Sequence, residues 1–109
     1  MDTGIVGLQI QQATTESAKG KKVNASNLLK LVESQGYRCA LTGWKLSPKL
    51  ASIDHIHPLS KGGSHTIENA QVVHRLVNTA KGTLSNDEFI SLCIAVASFA
   101  AEKQHSQGS

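Results

Sequence analysis

The stretch ASIDHIHPLSKGGSHTIENAQVVHRLVNTAKGTLS, residues 51–85, decides the fold. Ala51 to Ile56 alternates loosely as a strand, and Pro58, which has no N–H to give a ladder, stops it. LSKGGSHT then supplies a glycine-rich loop. A second apolar run, Ala70 to Val73, predicts a strand pairing back on the first, and its continuation HRLVNTAKG predicts about two helical turns closed by Gly82. Strand, loop, strand and helix therefore follow one another between Ala51 and Gly82.

Chemistry is concentrated in the same stretch. Asp54 and His55 are adjacent at a strand end, and the short helix carrying Asn78 returns beside them. A carboxylate and an amide carbonyl are hard oxygen ligands, suited to Mg²⁺ or Mn²⁺ with waters completing an octahedron. Neighbours in a strand point opposite ways, so Asp54 and His55 aim differently unless the strand bends. That divergence lets one residue hold a metal while the other faces water, and a neutral imidazole is a suitable general base near pH 7.

The segments DHIHPLSKGG, ENAQVV and NTAKG together resemble the HNH nucleases of the ββα-metal fold, in the variant whose first metal ligand is Asp and whose last is Asn. The likeness runs from about Gly36 to Gly82, with fourteen positions from His55 to Asn69 and twenty-four from Asp54 to Asn78. It implies an α+β fold with a ββα-metal hairpin-helix core flanked by N-terminal and C-terminal helices. It also implies a DNA endonuclease in which His55 deprotonates water, Asp54 and Asn78 hold one Mg²⁺ or Mn²⁺, and the products carry 5′ phosphate and 3′ hydroxyl ends. Asn69 matches the middle letter of the motif. By resemblance its side chain bonds backbone across the glycine loop and orients His55. Lys61, Arg75 and Lys81 are expected at DNA phosphates, His57 as a structural imidazole beside Pro58, and His65 and His105 simply at the surface.

One departure concerns zinc. Many relatives carry two Cys pairs around the hairpin, but here Cys39 is followed by Thr42, and His74 and Val77 occupy the other pair. Two candidate ligands do not complete a tetrahedral site, so no structural zinc is expected. A core of Leu41, Trp44, Val73, Leu76 and the C-terminal helix is expected to supply that stability instead.

Working outward, SNLLKLVESQG (residues 26–36) predicts a short helix with Ser26 as N-cap and Gly36 past its end. YRCALTGWKLSPKL (37–50) reads as a loop or irregular hairpin with Trp44 packed inward. Residues 1–25 read as a peripheral arm with a weakly signalled helix near 5–17, and residues 26–84 as the nuclease core. In residues 85–109, Ser85 and Glu88 form a capping box before FISLCIAVASFAAEK. That segment predicts a packing helix from about Ser85 to Lys103, with Cys93 a small buried hydrophobe and QHSQGS a disordered tail. Phe89, Leu92, Cys93, Val96 and Ala100 form one apolar stripe, and Ile90, Ile94, Ala97 and Ala101 a second, so the arm or a second copy in a homodimer is expected to cover the other side.

The whole chain limits what these segments can do. It has 109 residues, 39% of them hydrophobic, enough for one small globular domain. The nearly apolar run Phe89–Ala101 is too short to span a bilayer, so no membrane is expected. The N-terminus shows no basic region ahead of an apolar patch, and two distant cysteines make no disulfide framework, which places the chain in a reducing cytoplasm. Ten of the eleven basic residues lie between Lys19 and Lys81 against three acids, a net +7, while the rest carries one base against five acids, a net −4. Such a basic middle suits a polyanion such as DNA. With so little chain for a separate recognition domain, the expectation is that sequence preference is weak or is supplied by a partner, such as a larger phage or restriction assembly, or by a longer parent chain. The competing readings are a noncatalytic DNA-binding module that keeps the hairpin, and a small interaction protein with an accidental motif.

Overall fold

Asn24, not Ser26, begins the first helix, α1 (Ala25–Ser34): its side chain accepts from the Asn27 N–H at 2.8 Å. The competing position loses because Asn27 is itself anchored by its amide to the Lys22 carbonyl at 2.9 Å, which sets the helix start two residues earlier. The far end closes as a Schellman turn, with Tyr37 N–H bonded to Val32 O at 3.0 Å and Gly36 N–H to Glu33 O at 2.9 Å. The turn puts Gly36 at φ 66° and, less usually, Tyr37 at φ 58°. These contacts belong to a computed structural model, which describes residues 20–108; the helix expected near residues 5–17 lies outside the described residues.

Between α1 and the first strand the chain forms the irregular hairpin that its glycine and proline imply. Arg38 bridges Lys45, and Cys39 N–H bonds Trp44 O at 2.7 Å. Strands β1 (Ala51–His55) and β2 (Ala70–His74) then pair antiparallel in the register Ala51↔His74, Ile53↔Val72 and His55↔Ala70. The helix α2 (Arg75–Lys81) follows β2 without a break and returns against β1. This is the ββα arrangement of an α+β fold. Gln35, just past α1, ties that helix to the hairpin: its amide accepts from Val72 N–H at 3.0 Å and donates to Val72 O at 2.8 Å, imitating a neighbouring strand.

The apolar core is small. Cys39, Val73 and Val77 are buried together, with Leu41, Leu46 and Phe89 packed around them. Burying Val73 completely contributes about 2 kcal/mol. Two residues expected in this core lie outside it. Trp44 is half exposed and stands edge-on against His74, ring centroids 5.3 Å apart, because Gly43 at φ 75° turns the hairpin tip over the outer surface. Leu76 is 66% exposed, since α2 turns the Val77–Lys81 face inward and carries Leu76 away from it.

The last helix, α3 (Asn86–Gly108), departs furthest from expectation. The capping box forms, with Ser85 N–H bonded to the Glu88 carboxylate at 2.9 Å and Glu88 N–H to Ser85 Oγ at 3.2 Å. Yet only Phe89 packs on the core, whereas Leu92, Cys93, Ile94, Val96 and Phe99 are exposed. The reason is directional: α2 and α3 meet at 94°, so α3 runs past the small core, bordering only an open groove with Leu41, Thr42 and Val77 as far as Ala97, and stretches the molecule to 60 × 30 × 23 Å. Cys93 is therefore not a core residue, and helix continues through Gly108 where the composition predicts a disordered tail. Among the described residues no single helix is long and apolar enough to cross a membrane.

Candidate active site

β1 places Asp54 opposite Gln71 and turns its carboxylate inward, where it is 6% exposed. Asp54 Oδ2 accepts from Gln71 Nε2 and from Lys81 Nζ, both at 2.8 Å. The Lys81 ammonium, fully buried, also donates to the His55 carbonyl at 2.8 Å. One cation thus fixes two consecutive residues at the strand end. Gln71 and Asn86 exchange a reciprocal pair of amide bonds at 2.8 and 3.1 Å, and Asn86 N–H bonds Ile56 O at 3.0 Å. Both strands, α2 and the start of α3 are joined through this network. A buried ion pair gives little net stability, but removing one partner strands the other charge at a cost of about 3–5 kcal/mol.

Asn78 lies on α2 with its amide donating to Ser52 Oγ at 2.7 Å, and Ser52 shares a strand face with Asp54. The strand ends at His55 and the chain bends over Ile56 and His57. Asp54, His55 and Asn78 consequently line one cleft with Pro58, Leu59 and Thr83.

Asn69 closes the loop between the strands. Its Oδ1 accepts from His57 N–H at 3.0 Å, and its Nδ2 donates to His57 O at 2.9 Å and Ser64 O at 2.7 Å. Gly63 is needed beneath this clamp, because a Cβ there would drive into the His57 carbonyl and stand 2.9 Å from Asn69 Nδ2. His57 is exposed, its Nε2 against Lys61 O at 2.9 Å.

The three expected phosphate contacts differ. Lys61 is exposed, though paired with Glu88 at 2.8 Å. Arg75 is exposed and reaches Lys49 O at 3.3 Å. Lys81, expected at a phosphate, is instead buried against Asp54 and His55 and is not available to DNA. The hydrogen bond from Lys61 and the one from Ser85 N–H draw the Glu88 carboxyl down from 4.5 to about 2.

At the positions where relatives place zinc ligands, Cys39 and Val77 pack in the core, and Cys39 Sγ accepts from His74 N–H at 3.3 Å. Burial raises the Cys39 thiol, but bonds from Thr42 and from the His74, Leu41 and Thr42 backbone outweigh it and leave the group below its ordinary value. His74 caps α2 instead, its Nδ1 accepting from Leu76 N–H at 3.1 Å.

Sequence reasoning missed Gln71, Lys81 as a buried partner, and Asn86. His65 is at the surface as expected, but its contact with the site was missed: its Nδ1 lies 3.0 Å from His55 Nε2. The lysine had a usable signal, since Val77 and Lys81 are four apart on one helix face. The His65 contact had none.

The geometry agrees with comparison to known families: residues 38–84 match the family model of the HNH endonuclease. The matched segment is less than half of the chain and contains the α+β hairpin and helix described above. No curated protein matches the chain. An HNH domain indicates a nuclease or DNA-binding role with DNA as the macromolecule engaged, and such nucleases typically use a divalent metal.

Proposed function

We propose that the chain is a divalent-metal-dependent endonuclease that hydrolyses DNA phosphodiester bonds, with His55 as general base and Asp54 and Asn78 as the protein ligands of one Mg²⁺ or Mn²⁺. The observation that carries this reading is the convergence of Asp54, His55 and Asn78 on one cleft. The donor set fits a hard cation. Lys81 and Gln71 both occupy Oδ2 of Asp54, and Asn78 spends its amide nitrogen on Ser52. Oδ1 of each side chain makes no hydrogen bond among the described residues. Two such oxygens leave most of an octahedron to water and a phosphate oxygen. Among the described residues no group of three His, Cys, Asp or Glu stands ready to chelate a metal.

Bound there, the ion would stabilise charge on the phosphate and on the leaving 3′ oxygen. His55 takes the proton of the attacking water, and its backbone is held at the carbonyl by Lys81. Asn69 keeps the loop beside His55 in one shape, which matters because a misplacement of about 1 Å costs about 100-fold. Lys61 and Arg75, both exposed, contribute positive charge toward DNA phosphates.

Incubation of supercoiled plasmid with the protein in Mg²⁺ and in EDTA tests the reading. Nicked or linear product in Mg²⁺ and none in EDTA supports it. A mobility shift of DNA without cutting in either condition assigns the chain instead as a noncatalytic DNA-binding module.

A further inference from the structure

His55 Nε2 and His65 Nδ1 are 3.0 Å apart, with ring centroids separated by 5.2 Å and planes inclined at 53°. Two imidazole nitrogens at that distance share one proton, so one ring donates and the other accepts. If His65 donated from Nδ1, neutral His55 would accept at Nε2 and carry its own proton on Nδ1. Both nitrogens of His55 would then be committed, with no lone pair to receive a proton from water. If His55 donates from Nε2, its Nδ1 keeps the lone pair, and Nδ1 makes no hydrogen bond among the described residues. Only the second arrangement leaves a working base.

We propose that His65 is a positioning residue for His55: its Nδ1 accepts the His55 Nε2–H, fixes the tautomer and ring orientation, and leaves His55 Nδ1 as the nitrogen that removes the proton from water. This rests on the reading of His55 as general base. The loop is built to hold His65 still. Ser64, before it, is tied at its carbonyl to Asn69 and at its hydroxyl to Thr66 Oγ1 at 2.9 Å. Thr66, after it, is buried. Gly62 at φ 91° and the crowded Gly63 make the turn that swings this segment back toward the strand end. The bond also strengthens where it is useful. Once Nδ1 has taken the proton, His55 is an imidazolium and its Nε2–H donates as a charge-assisted group, so the interaction favours the state after proton transfer over the resting one.

Side-chain ¹⁵N NMR of the full chain without metal, at about pH 8 where unperturbed imidazoles are neutral, reads the tautomer directly. Cleavage kinetics in Mg²⁺ on His65→Leu and His65→Asn read the role. His55 is expected as the Nε2–H tautomer in the wild type and as a mixture in His65→Leu. His65→Asn, whose Oδ1 falls where Nδ1 stood, is expected to restore it. In parallel, kcat is expected to fall roughly 10- to 100-fold in His65→Leu with KM nearly unchanged, and to recover in His65→Asn. A wild-type Nδ1–H tautomer, or a His65→Leu variant with unchanged tautomer and kcat, overturns the proposal alone. A wild-type chain with the Nε2–H tautomer that never cuts DNA overturns the nuclease reading, and the positioning role with it.

Discussion

The hairpin-helix unit carrying Asp54, His55 and Asn78 and the helix α3 that follows it are held in opposite ways. The hairpin buries few apolar side chains, yet its chemical groups are fixed by directional bonds: Lys81 to Asp54 and to the His55 carbonyl, Gln71 to Asp54, and Asn69 to His57 and Ser64. Helix α3 is rich in Ile, Leu, Val, Phe and Ala, yet beyond Phe89 its side chains through residue 104 are exposed. Apolar content is thus a poor guide to what is fixed in this molecule. A small domain holds a site to fractions of an ångström with a polar network, because each bond sets an angle as well as a distance.

The contrast is broken most severely by Lys81→Ala, which leaves the Asp54 carboxylate buried without its cation. A loss of about 3–5 kcal/mol is expected, measured by urea unfolding. A loss below about 1 kcal/mol would mean that the network does not hold the hairpin. Asn69→Ala comes next. It removes three bonds from a half-buried loop and is expected to cost about 2 kcal/mol. Hydrogen exchange should increase locally over residues 57–66 while the strands stay protected.

A smaller effect is expected at the junction between the two regions. The Glu88 carboxyl is held at about 2, below its unfolded value of 4.5, so its contribution is present above pH 4.5 and is lost as pH falls toward 2. Circular dichroism of wild type and Glu88→Gln across that window should show an acid-dependent loss at the start of α3 in the wild type only. The smallest effect belongs to α3 itself. Val96→Ser and Phe99→Ser, at positions 61% and 62% exposed, are expected to change the unfolding free energy of the monomeric chain by no more than about 0.5 kcal/mol. A cost of several kcal/mol would show that these side chains are covered in solution.

What the sequence discloses follows the same division. Local rules reach the strand stop near Pro58, the SKGG turn, the closure of α2 at Gly82 and the capping box of Ser85 and Glu88, because each depends on residues within a few positions. The convergence of Asp54, His55 and Asn78 is also readable, through strand–loop–strand–helix order. The burial of Trp44, Leu76 and Cys93 is not, since an apolar residue goes inside only if the core has room on its side, and here the core closes around Cys39, Val73 and Val77. Neither is the meeting of His65 with His55, which is set by how Asn69 folds the intervening loop. Lys81 reads as a surface cation until the neighbouring strand is seen to offer it a carboxylate.

If His55 is the base of a metal-dependent nuclease, the single-turnover rate of plasmid cleavage in Mg²⁺ separates wild type from His55→Ala. Removing a general base is expected to slow cleavage by about 100- to 10,000-fold. Circular dichroism and DNA affinity should remain near wild type, because the Asp54–Lys81 pair and the His55 carbonyl bond do not involve the imidazole. Cleavage by His55→Ala at close to the wild-type rate, with the same dependence on Mg²⁺, would exclude His55 as the base.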